Sequence, residues 1–184
     1  MTPVSAPTPP SLLRAVSLVP NLARGRPAFQ SSIYPSPKNP VAERAVDGNC
    51  GGDFYTSLCV HTKYDYCPWW YVDLGDQYDI SAVVVKNRED CCGDRLKGAQ
   101  IHVGDSVDAN GQCSFLCGTI TDNSLGSIST IHCNGRKGRY VSVSIPGRAE
   151  FLQICEVEVY GVKCPTPSSD SLPPYSFASA FSET

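Results

Sequence analysis

Hydrophobic and polar residues alternate with a period of two in several short stretches of this chain. The clearest case is Val141–Ile145, in which Ser142 and Ser144 separate three aliphatic residues. Such alternation is typical of a strand that is buried on one face only. Ile80–Lys86 instead carries β-branched residues on both faces, as a strand inside a sandwich does. Further strands are predicted at Tyr71–Leu74 (ending at Gly75), Gln100–Val103 (ending at Gly104) and Glu156–Tyr160.

Turn-forming dipeptides separate these segments, and no stretch has the apolar spacing of an amphipathic helix. The turns are predicted at Asp47-Gly48, Asn110-Gly111, Asn134-Gly135 and Pro146-Gly147. Short strands joined by long, cysteine-bearing loops predict an all-β protein, an antiparallel β-sandwich.

The strand pattern stops at both ends of the chain. Residues 1–20 contain five prolines and form a predicted N-terminal arm, read as a linker or as part of a longer secreted protein, with a signal peptide as the alternative. Residues 165–184 are rich in Ser, Thr and Pro and form a predicted C-terminal tail. The folded domain is therefore predicted to span residues 21–164.

Composition narrows the cell compartment and the kinds of partner. The 184 residues include ten cysteines, a number that predicts disulfides and a secreted or extracellular protein. The same number disfavours a cytosolic enzyme. The net charge of −3 argues against nucleic-acid binding, which requires a basic face. No apolar run has the length of a membrane span, so no membrane insertion is expected.

One loop carries an unusual set of polar groups. It follows the Ile80–Lys86 strand and contains Arg88, Asp90, the adjacent Cys91 and Cys92, and Arg95. Two guanidinium groups could converge here on paired oxygens, with the carboxylate holding one of them in position. Neighbouring Cα atoms are closer than an ordinary disulfide allows, so the two cysteines either form a strained eight-membered ring or find separate structural partners.

The spacing of His61, Arg88, Asp90 and Arg95 resembles the motif H-x26-R-x-D-x4-[R/K] of the F-type lectins, the fucolectin family typified by eel agglutinin. The similarity extends over about 140 residues, the whole predicted fold. It includes the segments Asn21–Gly25, Glu43–Asn49, Phe54–Tyr55, Pro68–Leu74, Gly138–Val141 and Leu152–Val159.

This resemblance implies an F5/8 type C-like jelly roll that binds terminal L-fucose on glycans. His61, Arg88 and Arg95 would donate hydrogen bonds to the sugar, and Asp90 would hold an arginine. The remaining predicted sugar-binding residues are Cys91 and Cys92, whose disulfide would pack against the C6 methyl group, and Tyr55 and Phe54 on the aromatic side. His102 and His132 are interpreted as structural, and Trp69 and Trp70 as core residues.

The resemblance also implies a structural Ca²⁺ ion, which takes six to eight oxygen ligands. The matching positions are Arg44, Asp47, Asn49, Leu58, Cys155 and Glu156. Leu58 stands where the family commonly has serine, so it could offer only its carbonyl oxygen. The loop Tyr34–Pro40, which touches sugars beyond fucose in the family, is shorter than in the eel protein and leaves the preferred oligosaccharide open.

Three disulfides are implied by the resemblance, namely Cys59–Cys155, Cys91–Cys92 and Cys117–Cys133. Four cysteines are left over, and the pairs Cys50–Cys67 and Cys113–Cys164 are predicted for them. Cys113 could also compete with Cys117 for Cys133.

A calcium-supported, fucose-binding lectin is the function expected from the sequence, in innate immune recognition or in cell or gamete adhesion. Weak single sites are overcome by multivalency, so a homo-oligomer or a place in a multidomain chain is expected. The alternative is an F5/8 type C-like domain that binds phospholipid or a protein, although its loops lack exposed apolar spikes. Catalysis is not expected, since a glycosidase needs two carboxylates facing one bond.

Overall fold

The computed structural model describes residues 19–56 and 59–164. Within these residues the chain forms ten strands and two short 3₁₀ helices, at Ala42–Ala45 and Gly93–Leu96. The strands are Ala28–Gln30 (β1), Val60–His61 (β2), Asp65–Tyr66 (β3), Trp69–Lys86 (β4), Gln100–Gly104 (β5), Phe115–Thr119 (β6), Ile128–Ser144 (β7), Ala149–Glu150 (β8), Gln153–Ile154 (β9) and Glu156–Lys163 (β10).

The main sheet is built around two long antiparallel strands, β4 and β7. Its order is β1-β4-β7-β5-β6, and β10 pairs with the second half of β4. The first half of β4 pairs with β1, and the end of β7 pairs with β5. Side chains from both halves share one hydrophobic core. The predicted antiparallel sandwich is therefore confirmed.

Two predicted strand boundaries are wrong for the same physical reason. Gly75 has a positive φ of 81°, but β4 continues through it, and the β4–β7 register is irregular between Asp73 and Tyr78. Asn134-Gly135 was predicted as a turn and lies inside β7, with φ values of 53° and 72°, where the register with β4 shifts again. At both places the chain forms an irregularity inside a long strand, as a β-bulge does, and not a turn that ends it.

The core follows the alternation of the strands only in part. Val141, Val143 and Ile145 are fully buried, but Ser142 and Ser144 are buried as well, so the prediction of a single buried face is wrong for this segment. In Ile80–Lys86 the prediction of two apolar buried faces is wrong. Ile80, Val83 and Val85 are fully buried, whereas Ala82 and Val84 are half-buried and Ser81 is exposed.

The two tryptophans also differ from the single prediction made for them. Trp70 is fully buried and donates a hydrogen bond from Nε1 to the carbonyl of Ala42 at 2.9 Å, as expected of a core residue. Trp69 lies outside the core cluster, half-buried, with its ring stacked on Tyr71 at a centroid distance of 5.6 Å. Successive side chains of a strand point to opposite faces, so adjacent tryptophans cannot both enter one core.

Three disulfides form as predicted, namely Cys59–Cys155, Cys91–Cys92 and Cys117–Cys133. The predicted pairs Cys50–Cys67 and Cys113–Cys164 do not form, and all four cysteines are free thiols. They lie in separate places: the Cys67 thiol accepts a hydrogen bond from the Gly147 amide, whereas the Cys50 carbonyl accepts one from Lys86. Burial raises the pKa of the Cys113 thiol to about 11, which makes it unreactive at neutral pH.

The predicted arms at residues 1–20 and 165–184 lie outside the described residues, apart from Val19 and Pro20. At the start of the described domain, Asn21 ties the chain to β10 by accepting a hydrogen bond from the amide of Val159 at 3.0 Å. None of the helices in the described ranges has the length and apolar character that a membrane crossing requires.

Candidate functional site

A cleft of about 220 Å³ opens at the end of the sandwich where β2, β9 and the loop after β4 meet. It brings together most of the residues that the motif singled out. Its lining consists of Tyr34, Phe54, Tyr55, His61, Arg88, Cys91, Cys92, Arg95 and Phe151.

Arg88 is held by a two-point contact with Asp90. Its Nε donates to Oδ1 of Asp90 at 2.7 Å and its Nη2 donates to Oδ2 at 2.5 Å. Asp90 also accepts a hydrogen bond from the Phe54 amide at 2.9 Å. The Arg88 guanidinium, together with this amide, holds the pKa of the Asp90 carboxyl below its usual range. Asp90 is therefore ionised at neutral pH and fixes the plane of the arginine.

The loop after β4 is anchored by the buried side chain of Asn87. Its side-chain amide donates to the carbonyls of Gly93 and Ser124, at 3.0 and 3.1 Å. Cys92 adopts a left-handed conformation, with φ of 62°, directly before the Gly93–Leu96 helix that carries Arg95. The Cys91–Cys92 disulfide thus forms a rigid part of the cleft wall between the two arginines.

His61 is buried and its protonation can be deduced from its partners. Its Nδ1 lies 2.6 Å from the carbonyl oxygen of Thr62, which can only accept, so Nδ1 carries a proton. Burial lowers the pKa of His61 to about 4, with smaller contributions of the same sign from Arg88 and Arg95. Burial thus favours the neutral imidazole at physiological pH.

The donor role toward the ligand that the resemblance implies for His61 stays a prediction.

Arg95 is placed by an aromatic ring rather than by a carboxylate. Its Cζ lies 4.6 Å from the ring centroid of Phe151, and Arg88 stacks in the same way on Phe54 at 4.6 Å. Such cation–π contacts orient a guanidinium without occupying its hydrogen-bond donors.

The two predicted aromatic residues differ in exposure. Phe54 is 5% exposed and packs against the Arg88 guanidinium, whereas Tyr55 is 63% exposed at the rim of the cleft. The Tyr34 ring packs on His61 with a centroid distance of 4.3 Å.

Two residues of the site, Phe151 and Gln153, were missed by the sequence analysis, and Tyr34 was named there only as part of the Tyr34–Pro40 loop. Gln153 is the strand partner of His61 in the β2–β9 pair. A polar residue in the otherwise apolar segment Leu152–Ile154 was the available signal, because a buried polar side chain needs partners.

The predicted metal ligands fall in a second cluster. Glu156 is 4% exposed, and its Oε1 accepts a hydrogen bond from the Gly48 amide at 3.2 Å. Its Oε2 is buried and receives no hydrogen bond from the described residues. Burial raises the pKa of Glu156 to about 8, and the nearby carboxylate of Asp47 adds to the shift. A cation between these two carboxylates would supply the missing partner of Oε2.

The other predicted ligands are present only in part. Arg44 and Asn49 lie in the same segment as Asp47, whose Oδ1 accepts from the Asn49 amide at 2.8 Å. Leu58 lies outside the described residues. No group of three or more His, Cys, Asp or Glu side chains within residues 19–56 and 59–164 could hold a metal. A cation would therefore depend on two carboxylates and on carbonyl oxygens, a donor set that suits calcium.

The two other histidines lie apart from the cleft. His102 is buried in β5 beside Gln112, and His132 is in β7.

The cleft thus offers two cations, an imidazole ring and an apolar disulfide in a small, partly enclosed space. Guanidinium N–H groups and an imidazole can together form hydrogen bonds with a neutral polyhydroxy ligand, whose hydroxyls both donate and accept. The disulfide offers contact to an alkyl group.

Several known proteins are similar to this chain in sequence and in structure. The family model of NedA-like, galactose-binding domains matches residues 44–143. Fucolectin of Anguilla anguilla is 41% identical over 122 residues, which cover 66% of this chain and 77% of that protein. The crystal structure of an F-lectin (fucolectin) from the serum of Morone saxatilis superposes with a TM-score of 0.73 at 42% identity, covering 78% of this chain.

Some relatives are considerably longer. The chain covers 47% of the Morone saxatilis lectin and 31% of a pentraxin fusion protein of Xenopus laevis, to which it is 35% identical over 132 residues. The fold is the jelly-roll sandwich of F5/8 type C-like domains. On the family match and on the identity to the eel protein, the chain belongs to the F-type lectin (fucolectin) family.

Proposed function

We propose that this protein is a lectin whose cleft binds a terminal L-fucose residue of a glycan. The observation that carries the proposal is the convergence of His61, Arg88 and Arg95 beside the Cys91–Cys92 disulfide in one cleft. The names of its relatives support the same sugar, since fucolectins stand among the proteins most similar to it.

The division of labour follows from the chemistry of each group. Arg88 and Arg95 donate to ring and hydroxyl oxygens, and His61 forms a hydrogen bond with a hydroxyl. L-Fucose carries a methyl group at C6 where galactose carries a hydroxymethyl group, and the Cys91–Cys92 disulfide packs against this methyl. Binding, not bond cleavage, is the proposed activity, because Asp90 is engaged by Arg88 and is not available as a general acid or base.

Calcium is proposed as a structural cofactor. Asp47 and Glu156 would supply carboxylate oxygens, and Arg44, Asn49, Leu58 and Cys155 would supply backbone carbonyls. The orphaned, buried Oε2 of Glu156 supports this assignment. When bound, the ion supplies positive charge and cross-links the Asp47 segment to the start of β10. It takes no direct part in the contact with the sugar.

The proposed setting is extracellular. Three disulfides support secretion, and innate immune recognition of glycans or cell adhesion is the proposed role. A single small cleft binds weakly, so several copies, in a homo-oligomer or a multidomain chain, would raise avidity.

The test compares sugar binding by the wild-type protein and by R88A, with R139A as the matched control. Arg139 forms the same two-point contact with Asp73, at 2.7 Å for each bond, but lies outside the cleft. On glycan arrays and in calorimetry, the wild type should bind fucosylated glycans and be competed by free L-fucose. R88A should lose about 10- to 100-fold in affinity, the value of a charge-assisted hydrogen bond.

R139A should bind like the wild type. The proposed function would be contradicted by glycan binding that free L-fucose does not inhibit, or by an R88A variant with wild-type affinity.

A further inference from the structure

Gln153 occupies a central position beneath the cleft. It lies in β9, directly opposite His61 in the two-residue β2–β9 pair, and only 2% of it is exposed. Ile154, the other residue of this short strand, belongs to the hydrophobic core, so Gln153 is the polar member of the strand. A buried polar side chain is retained at a cost, so its partners are informative.

The end of the Gln153 amide meets three polar groups at once. One terminal atom lies 2.6 Å from Nη1 of Arg95, 3.3 Å from Nη1 of Arg88 and 2.6 Å from Nε2 of His61. Guanidinium N–H groups only donate, so this atom must be the amide oxygen, Oε1. With the amide turned the other way, its NH₂ group would face two cations.

Oε1 of Gln153 therefore sets the direction of both arginines. Arg88 has its Nε and Nη2 engaged by Asp90, and Gln153 fixes its remaining nitrogen. Arg95 forms no salt bridge with a described carboxylate, and its guanidinium is positioned by Gln153 and by the ring of Phe151. A neutral acceptor holds these groups while leaving their charge to the ligand.

The contact with His61 completes the set. The same atom of Gln153 lies 2.6 Å from Nε2 of His61, whose other ring nitrogen, Nδ1, lies 2.6 Å from the carbonyl oxygen of Thr62. Gln153 therefore joins β2 to both arginines.

We propose that Gln153 is a positioning residue of the sugar site, whose amide oxygen aims the guanidinium groups of Arg88 and Arg95 into the cleft. The inference rests on the proposed function. A carboxylate at the same position would pair with the arginines and favour a protonated His61, and both effects compete with the sugar.

The test uses Q153L, which removes the acceptor, and Q153E, which adds a charge in nearly the same shape. Q112L is the matched control, since Gln112 contacts His102 away from the cleft, at 3.1 Å. L-Fucose affinity, measured by calorimetry, should fall about tenfold or more in Q153L and Q153E and stay unchanged in Q112L.

A second readout separates positioning from mere stability. In the unliganded protein, the NMR titration midpoint of the His61 ring should move to higher pH in Q153E, because the new carboxylate lies beside Nε2. The positions of His102 and His132 signals serve as internal controls. If Q153L does not fold, Q153E carries the test alone.

The outcomes for this proposal and for the proposed function are distinguishable. Wild-type affinity for L-fucose together with unchanged affinity in both Gln153 variants overturns only the role of Gln153. Absence of wild-type binding overturns the proposed function, and an unchanged His61 midpoint in Q153E then overturns the positioning role as well.

Discussion

At the scale of single residues, arginine–aspartate ion pairs occur in one buried and one exposed environment and differ in what they contribute. Arg88–Asp90 and Arg139–Asp73 are both two-point contacts, but the Arg88 side chain is 6% exposed and the Arg139 side chain is 46% exposed. An exposed ion pair contributes little because water and salt screen it. The buried pair instead fixes a guanidinium whose remaining nitrogen, Nη1, faces the amide oxygen of Gln153.

His61 is the titratable residue on which the cleft depends. Its folded-state pKa of about 4 lies below the ordinary 6.5, so the folded protein favours the neutral ring. The stability associated with this group is therefore fully present above pH 6.5 and is lost as the pH falls from 6.5 toward 4.

Sugar affinity should follow the protonation of His61 in the folded protein. We expect a constant affinity for L-fucose between pH 6 and 8 and a steep loss as the pH approaches 4, because a protonated imidazole adds a third cation beside Arg88 and Arg95. Calorimetry at several pH values, at constant ionic strength and saturating calcium, measures this profile.

The matched variant is H102Q, which removes another buried histidine and should leave the affinity profile unchanged. A midpoint of affinity near pH 6.5 would show that His61 titrates as in water and would contradict the described burial.

At the scale of elements, the loop after β4 combines both arginines with the Cys91–Cys92 disulfide. The loop is anchored by Asn87 and by the close approach of Gly93 to the backbone of Asn123, where an added Cβ would lie 2.6 Å from the carbonyl oxygen. A rigid loop places the disulfide at a fixed distance from the arginines, which is the condition for recognising a single methyl group.

The contact between the disulfide and the C6 methyl group should be measurable as a preference for L-fucose over L-galactose. L-Galactose differs from L-fucose only by a hydroxyl on C6, so the ratio of the two affinities isolates the contact. The double variant C91S/C92S should lower this ratio about threefold to fivefold, the value of one buried methyl group. C117S/C133S, which removes a disulfide outside the cleft, is the control and should keep the ratio. An unchanged ratio in C91S/C92S would remove the disulfide from the recognition of C6.

The sequence predicted the elements that alternate cleanly and missed those that bend. Val141–Ile145 and Gln100–Val103 were recognised because apolar and polar residues alternate along each of them, although Ser142, Ser144 and His102 are buried as well. Gly75 and Asn134-Gly135 were interpreted as strand ends because Gly and Asn-Gly are typical of turns. The same residue types also occur at bulges, where a positive φ is needed inside a long strand. Gln153 was missed because its partners come from three other segments, which only the folded chain brings together.

At the scale of the whole molecule, the proposed calcium site and the cleft share one stretch of chain. Gln153 lies beneath the cleft and Glu156 carries the orphaned carboxylate oxygen three residues later. The Cys59–Cys155 disulfide lies between them and ties this stretch to the segment that leads into β2. An ion at Glu156 would therefore stiffen the base of the cleft from outside.

Calcium should raise the thermal stability of the protein through Glu156. At a concentration 100 times the dissociation constant, a ligand of the folded state adds about 2.7 kcal/mol, which corresponds to a rise of about 5–10 °C in Tm for a domain of this size. Thermal melts in calcium and in chelator measure the difference.

E156Q should abolish most of this rise, and E158Q, which changes a neighbouring carboxylate on the same strand, should retain it. Equal melting temperatures with and without calcium in the wild type would contradict the calcium proposal.

The pairing of β2 with β9 has a consequence for how the protein acquires its activity. His61 and Gln153 are 92 residues apart in the chain, and the nearby disulfide closes a separation of 96. Contacts of such long range require a large loop of chain to close. Sugar binding therefore reports that both ends of this span have come together, and no contiguous fragment shorter than the span can possess it.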